Sequence, residues 1–389
     1  MSLGVYIQVP FCQTKCTYCN FHTGVVSRDR YQPYAEAICR EIAVTASPTP
    51  EIADTVYVGG GTPSLLEAGA LAKMLDALRG SYRMESQPEP LEVTLEADPE
   101  TITPEKARAW IAAGFNRISL GAQSFDDREL QAAGRMHRRA DIFQAVESLR
   151  GEGFSNISMD LIAGLPHQTR DSWEKSVSEL LQTRPEHASV YMLEIDKDSR
   201  LGRESLAGGS RYSAGAIPDD DTIADFYESA RLRLNEAGYR HYEISNWGLP
   251  GRESRHNLKY WRREPYYGLG AGAHSFDGMT RWANAHESQR YMACIEQGSS
   301  PREQFETLTP LQALDEELFV GLRLLEGIDF ARIEREWEPE LPKRIAAVRE
   351  NIERLQALGF LEVEGTRVRL VPDRLTVSNE VFMQLLGDG

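Results

Sequence analysis

The sequence lacks a long apolar run and lacks an excess of basic residues. Nowhere in its 389 residues do about 18 apolar residues follow one another, as a membrane-spanning helix requires, so we expect no integral membrane span. The 59 acidic and 43 basic residues give a formal net charge of −16, which repels nucleic acid and anionic lipid over a broad surface. No apolar signal segment opens the chain. We therefore expect a cytoplasmic protein that does not bind nucleic acid.

Cysteine is scarce and odd in number, which argues against a disulfide framework. Three of the five cysteines, Cys12, Cys16 and Cys19, lie within eight positions, whereas Cys39 and Cys294 stand apart in helical patterns. The isolated pair is typical of small buried hydrophobic residues. The clustered three indicate metal binding in a reducing compartment.

Short β-branched or aromatic runs alternate with amphipathic stretches from residue 5 to about residue 195. This alternation predicts parallel β/α units joined by crossover helices. Polar groups follow nearly every run at its carboxyl end, and in a barrel those ends meet at one mouth, so we predict a full or partial barrel. The six predicted strands are Val5–Val9, Thr55–Val58, Glu92–Leu95, Arg117–Leu120, Ile157–Ile162 and Ala188–Met192.

The pattern changes twice after the predicted barrel. A polar, glycine-rich stretch follows residue 200, and after about residue 309 apolar residues at helical spacing precede a hairpin around Gly365. We predict a barrel over 4–200, a connecting region over 201–305 and a winged-helix-like domain over 306–389. Residues 310–389 carry 10 basic and 16 acidic residues, which disfavours DNA binding by this domain.

The three clustered cysteines follow the first predicted strand directly, with three and then two residues between them. Thiolates suit both iron–sulfur clusters and zinc. A zinc site with His22 as fourth ligand is one alternative. Structural zinc sites usually take their ligands from two separated pairs, and the sequence has no second pair, so an iron–sulfur cluster with one open iron is favoured.

Two motifs together resemble the radical S-adenosylmethionine superfamily. They are the three cysteines, with Tyr18 immediately before the last, and the run Gly59-Gly60-Gly61-Thr62-Pro63 after the second strand. The whole chain is similar to the group that contains oxygen-independent coproporphyrinogen III oxidase and the HemW haem chaperones. The resemblance implies an α/β fold, a partial (β/α)6 TIM-like barrel with a C-terminal α+β winged-helix-like domain. It also implies a [4Fe–4S] cluster on Cys12, Cys16 and Cys19, with S-adenosylmethionine on its open iron.

The same resemblance implies which residues contact S-adenosylmethionine. Each matched polar residue taken alone would more often be a solvated or salt-bridged group, and the glycine run alone would be a tight turn. Their joint positions at strand ends favour a shared site. The implied contacts are Tyr6, Tyr18, Gly60, Gly61, Thr62, Glu96, Gln123, Arg135 and Asp160.

Two features bear on the division between oxidase and chaperone. Phe21 stands where the oxidase has a further cysteine, and the motif His256-Asn257-Leu258-Lys259-Tyr260-Trp261 resembles the HemW signature associated with haem. The resemblance implies that His256 ligates haem, although a lone histidine in a basic aromatic segment is more often hydrogen-bonded or at the surface. His274, in a glycine-rich run that follows, receives no role.

The leading hypothesis from the sequence is a haem chaperone that delivers haem to acceptor haemoproteins, which can be membrane-bound. The alternative is a radical enzyme, either a coproporphyrinogen III oxidase or a related methyltransferase. A third class is a zinc-stabilised binding module without catalysis.

Overall fold

Six parallel strands alternate with helices through the first half of the chain. The structure is a computed structural model that describes residues 2–47, 49–84 and 90–386. Strands β1 to β6 are Leu3–Val9, Ala53–Gly60, Glu92–Ala97, Arg117–Gln123, Ile157–Ala163 and His187–Met192. Helices α1 to α6 are Tyr31–Thr45, Ala68–Ser81, Pro104–Ala113, Asp127–Ala132, Arg139–Glu152 and Arg170–Thr183. Every neighbouring pair from β1 to β6 is parallel, which confirms the predicted β/α architecture.

The segment after β6 extends both edges of the sheet. Its helices α7 to α10 are Arg200–Leu206, Asp220–Glu236, Arg255–Trp261 and Ser288–Glu296. Its strands β7 to β12 are Arg240–Glu243, Asn246–Gly248, Tyr266–Leu269, His274–Phe276, Thr280–Asn284 and Arg302–Thr307. The sheet order is β12-β11-β10-β9-β1-β2-β3-β4-β5-β6-β8-β7. Because β9 pairs with β1 and β8 pairs with β6, the two outer barrel strands do not pair with each other, and the barrel stays open.

Alternation along the strands separates the hydrophobic core from the barrel interior. In β1, Val5, Ile7 and Val9 are fully buried in the large core cluster that also contains residues of the surrounding helices, whereas Tyr6 and Gln8 alternate with them. Each helix buries one face; α1, for example, buries Tyr34, Ala35, Ala37, Ile38, Glu41 and Ile42. No helix within the described ranges combines the length and the apolar character needed to cross a membrane.

The C-terminal residues form a small helical unit with a three-stranded sheet. Helix α11 (Pro310–Gly321) precedes strand β13 (Ile328–Asp329), helices α12 (Phe330–Trp337) and α13 (Pro342–Ala357), and strands β14 (Leu361–Glu364) and β15 (Arg367–Leu370). Helix α14 (Ser378–Leu386) follows. The strands pair in the order β13-β15-β14, and the order helix, strand, two helices and hairpin agrees with the predicted winged-helix-like fold.

Candidate functional site

The carboxyl ends of β1 to β6 surround a cavity of about 500 Å³. In a parallel barrel these ends converge on one mouth, where substrates and cofactors bind. Eleven of the sequence-predicted site residues line this cavity, and Tyr6 and His256 do not. The eleven are Cys12, Cys16, Tyr18, Cys19, Gly60, Gly61, Thr62, Glu96, Gln123, Arg135 and Asp160.

The loop that carries the three cysteines is held at its base and at its tip. At the base, Phe11–Cys12 pairs in parallel with Gly24–Val25. Nearer the tip, the backbone N–H of Thr17 donates to the carbonyl of Ala133 at 2.9 Å, and Leu201 N–H donates to the Thr17 carbonyl at 2.8 Å. The loop therefore presents three free, half-buried thiols to the cavity from an anchored frame.

The chemistry of these thiols fits a metal cluster. Burial raises the pKa of Cys12 to about 11 and also raises the pKa of Cys19, so both are protonated near neutral pH, and a bound metal would displace their protons. The described ranges contain no three His, Cys, Asp or Glu side chains that could hold a single metal ion. His22, the fourth ligand in the zinc alternative, lies outside this cavity, with its ring 4.1 Å from that of His286.

Two glycines let the end of β2 lie close to the loop that carries the three cysteines. A Cβ atom at Gly61 would lie 2.6 Å from the carbonyl oxygen of Phe11 and 3.0 Å from the Cys12 sulfur. Gly60 has φ of +112°, a conformation that favours glycine. The glycine run therefore lets the end of β2 approach the cysteines, which a plain tight turn would not require.

Glu96 lies at the end of β3 with both carboxylate oxygens engaged. Tyr57 donates its hydroxyl hydrogen to Oε1 at 2.9 Å, and the backbone N–H of Gly60 donates to Oε2 at 2.8 Å. Burial nevertheless raises the pKa of Glu96 to about 7, and the neighbouring carboxylates Asp160 and Asp98 add to the rise. The group is thus poised to gain from a cationic or hydroxyl-bearing ligand in the cavity.

Asp160, in the middle of β5, is the clearest sign that a ligand is needed. Burial raises the pKa of Asp160 to about 6, and its Oδ1 atom is buried without a hydrogen-bond partner in the described part of the chain. An orphaned buried carboxylate oxygen is costly and is expected to be met by a bound group. The carboxylates of the cavity therefore fit S-adenosylmethionine, which carries a positive ammonium group, a positive sulfonium and ribose hydroxyls that can donate hydrogen bonds.

Arg135 connects the cysteine loop to the strand ends. Its guanidinium forms an ion pair with Asp98, donates to the Gly121 carbonyl at 2.9 Å and approaches the Cys16 sulfur at 3.4 Å. Asp98 also accepts the Thr62 hydroxyl at 3.0 Å. Sequence reasoning assigned no role to Asp98, although its position directly after β3 is the signal that could have found it.

The structure places Tyr6 below the cavity, in the interior of the barrel. Its hydroxyl donates to Gln8 Oε1 at 2.5 Å, and its ring stacks with Tyr57 at a centroid distance of 6.1 Å. Tyr6 does not line the cavity, and contact of its side chain with the cofactor stays a prediction.

His256 lies at the opposite end of the barrel from the cysteines. It is in α9, is 0% exposed, and packs against the start of β1, where it lies close to Gly4. Its Nδ1 forms a hydrogen bond of 2.9 Å with Thr55 Oγ1, and its Nε2 forms one of 2.8 Å with the Tyr260 hydroxyl. In this conformation both ring nitrogens are hydrogen-bonded, so haem ligation by His256 stays a prediction that would require one of the two bonds to break.

The raised pKa of Glu96 makes a prediction about stability. The folded state keeps a proton that the unfolded state releases near pH 4.5, so stability falls as the pH rises from about 4.5 to about 7. Glu96→Gln removes this ionisation, and we expect its stability relative to the wild type to increase by about 3 kcal/mol between pH 4 and pH 8. Urea unfolding at both pH values measures the difference.

Glu194→Gln, at an exposed position of the same cavity, is the control and should follow the wild type. Equal pH dependence of wild type and Glu96→Gln would contradict the burial argument. Glu96→Gln is also expected to bind S-adenosylmethionine more weakly, because it lacks the buried carboxylate.

Comparison with known proteins identifies the family. The radical SAM superfamily matches over residues 6–180, and the HemN C-terminal domain matches over residues 308–372. The heme chaperone HemW of Mycobacterium tuberculosis is 36% identical, covering 99% of this chain and 95% of that protein. HemW of Bacillus subtilis is 32% identical, covering 99% of each chain.

A mammalian relative and a solved structure extend the comparison. The mitochondrial radical S-adenosyl methionine domain-containing protein 1 of Bos taurus is 31% identical over an alignment that covers 98% of this chain and 87% of the bovine protein. Coproporphyrinogen III oxidase (HemN) from Escherichia coli superposes with a TM-score of 0.85 at 20% identity, covering 99% of this chain and 90% of that one. The likeness to HemN shows the shared fold. The sequence identities with the two HemW proteins, which cover 99% of this chain, show that the chain belongs to the HemW family of the radical S-adenosylmethionine superfamily.

Proposed function

We propose that this protein is a haem chaperone that carries a [4Fe–4S] cluster on Cys12, Cys16 and Cys19 and binds S-adenosylmethionine beside it. The observation that carries the proposal is a cavity lined both by three free thiols and by Asp160, whose buried Oδ1 atom has no hydrogen-bond partner in the described ranges. The full-length relatives are named haem chaperones, which supports haem as the cargo.

The cavity residues divide the work of holding the cofactors. The three thiolates would ligate iron and leave one iron open, and the glycines at the end of β2 would admit the cofactor close to the backbone. Glu96 and Asp160 would accept hydrogen bonds from its ammonium or hydroxyl groups. A bound cluster would be able to supply an electron to S-adenosylmethionine, and Arg135 places a positive charge beside Cys16.

The position of Phe21 disfavours the oxidase alternative. Phe21 stands where the oxidase has a further cysteine, and its side chain is 66% exposed at the rim of the cavity. An aromatic ring cannot ligate a metal at this position. We therefore propose delivery of haem to acceptor haemoproteins as the function, with no turnover of coproporphyrinogen.

A transfer experiment tests the function. The anaerobically reconstituted protein is loaded with haem and mixed with an apo-haemoprotein that binds haem more tightly, and the absorption spectrum is followed with time. We expect saturable loading, transfer to the acceptor, and no protoporphyrinogen formed from coproporphyrinogen. Failure to bind haem, or efficient coproporphyrinogen oxidation, would contradict the proposal.

A further inference from the structure

Arg117 is a buried arginine in the barrel that has no ion pair. It begins β4 and is only 1% exposed. Its Nε atom has no hydrogen-bond partner, and none of the ion pairs formed within the described ranges includes it. Taking a charged group out of water is costly unless an opposite charge or hydrogen bonds offset the cost. The buried guanidinium of Arg117 therefore indicates a negative group that it acts on at longer range.

Strand alternation places Arg117 on the face of β4 that points into the barrel. Ser119, two residues further on, lines the cysteine cavity, which is the cavity at the barrel mouth that the three cysteines line. Arg117 shares the face of Ser119 and lies one step nearer the amino-terminal end of the strand. Thr94 is directly opposite Arg117 in β3, is fully buried, and has an Oγ1 atom without a partner in the described ranges. Unpartnered polar groups thus continue from the cavity into the barrel.

Asp160 is the carboxylate on which the positive charge of Arg117 acts. It lines the cysteine cavity, and its buried Oδ1 atom lacks a hydrogen-bond partner in the described part of the chain. Burial raises the pKa of Asp160 to about 6, and the positive charges of Arg117 and Arg135 oppose that rise. Arg135 already forms an ion pair with Asp98, whereas Arg117 has no ion pair of its own. Arg117 is therefore the positive charge that remains for Asp160.

The other groups that face Asp160 come from three neighbouring strands. In β6, the Ser189 hydroxyl forms a hydrogen bond with Asp160 and lowers its pKa. Glu96 in β3 is a second carboxylate, and its negative charge opposes the ionisation of Asp160. Tyr57 in β2 and Tyr191 in β6 are neutral at physiological pH, because burial raises the pKa of both. None of these four groups brings a positive charge to Asp160.

We propose that Arg117 is a positioning residue whose buried guanidinium keeps Asp160 ionised, so that Asp160 can accept hydrogen bonds from S-adenosylmethionine. The proposal rests on the proposed function, in which S-adenosylmethionine binds in the cysteine cavity. Arg117 does not line that cavity and acts through Asp160. An ionised carboxylate accepts hydrogen bonds at both oxygens, whereas a protonated one turns one oxygen into a donor. The ammonium and ribose hydroxyls of the ligand are donors and need the ionised form.

Urea unfolding of the cluster-free protein at pH 6 and pH 8 tests the charge effect without S-adenosylmethionine. Arg117→Met removes the charge, and we expect the pKa of Asp160 to rise further, by about 1 or more. The folded variant then keeps its proton to higher pH, so the stability that this proton gives is lost between pH 6 and pH 8. The unfolding constant should increase over this range about fivefold more than in the wild type. Arg117→Lys keeps a charge and should follow the wild type.

Titration of the reconstituted protein with S-adenosylmethionine tests the role in binding. At pH 6 we expect Arg117→Met to bind about fivefold more weakly than the wild type, and at pH 9 equally well, because Asp160 is then ionised without help. A merely structural role of Arg117 would weaken binding by the same factor at both pH values. Arg231→Met is the matched control. It removes a buried arginine that pairs with Glu228 in α8, and it should keep the wild-type pH profile.

Two further variants keep the test decisive. In the Asp160→Asn background, Arg117→Met should no longer change the pH dependence of unfolding. Arg117→Gln removes the same charge and replaces Arg117→Met if that variant does not fold. Iron content and near-ultraviolet circular dichroism at each pH show that the variants are folded and carry the cluster.

The outcomes separate this role from the proposed function. Wild-type pH dependence of unfolding in Arg117→Met would overturn the charge effect on Asp160. A changed pH dependence of unfolding together with an affinity ratio that does not vary with pH would overturn the role in cofactor binding. No binding of S-adenosylmethionine by the wild type at any pH would overturn the proposed function, and the unfolding experiment would still decide whether Arg117 controls the ionisation of Asp160.

Discussion

Replacing Cys16 with serine is expected to abolish the iron–sulfur cluster and, with it, the binding of S-adenosylmethionine. A serine oxygen is a harder ligand than a thiolate and binds iron in such clusters poorly. Cys16 is also the thiol that Arg135 approaches at 3.4 Å, so its replacement changes one contact of the buried guanidinium. We expect about four irons and four sulfides per chain in the wild type and near none in Cys16→Ser, measured by chemical assay after anaerobic reconstitution.

Cys294→Ser is the matched control for this prediction. Cys294 is half-buried in α10 and does not line the cysteine cavity, so its replacement should leave the iron content unchanged. Full iron content in Cys16→Ser, or a wild-type protein that carries one zinc and no sulfide, would contradict the assignment of the three cysteines.

Replacing His256 with alanine is expected to lower the free energy of unfolding by about 3 kcal/mol. The substitution opens a cavity at a fully buried position and leaves the Thr55 and Tyr260 hydroxyls without their shared partner. The ring also packs against Tyr57 at a centroid distance of 5.3 Å, and that contact is lost. Chemical denaturation of the cluster-free protein measures the change.

Tyr260→Phe separates the two contributions. It removes one hydrogen bond of His256 and keeps the aromatic packing, so we expect a loss of about 1 kcal/mol. Haem titration of the folded His256→Ala protein tests the haem-ligand role of His256. A His256→Ala protein of wild-type stability that no longer binds haem would favour the haem-ligand role suggested by the sequence motif.

The barrel strands and the cavity could be predicted because both depend on local pattern. Six apolar runs match β1 to β6, and the residues that follow them converge because parallel strands end at one mouth. Strand β9, which pairs with β1, could not be predicted because Tyr266–Leu269 lies in a glycine-rich stretch without strand periodicity. Its pairing depends on tertiary contacts with residues far away in sequence.

The environment of His256 and the contact between His22 and His286 escaped prediction for the same reason. The motif around His256 marks a basic aromatic segment, but one of the hydrogen bonds of His256 is to Thr55, which is 201 positions away in the chain. His22 and His286 lie in separate segments that only the folded sheet brings together. Sequence spacing carries no information about either contact.

The electron paramagnetic resonance spectrum of the reduced, reconstituted wild-type protein, recorded before and after addition of S-adenosylmethionine, tests the central claim most directly. The claim is that Cys12, Cys16 and Cys19 hold a cluster whose open iron faces the same cavity as Glu96 and Asp160. We predict a cluster signal that shifts when S-adenosylmethionine is added and that is absent from Cys16→Ser. A signal that does not change at saturating S-adenosylmethionine, or the absence of any cluster signal from the wild type, would contradict it.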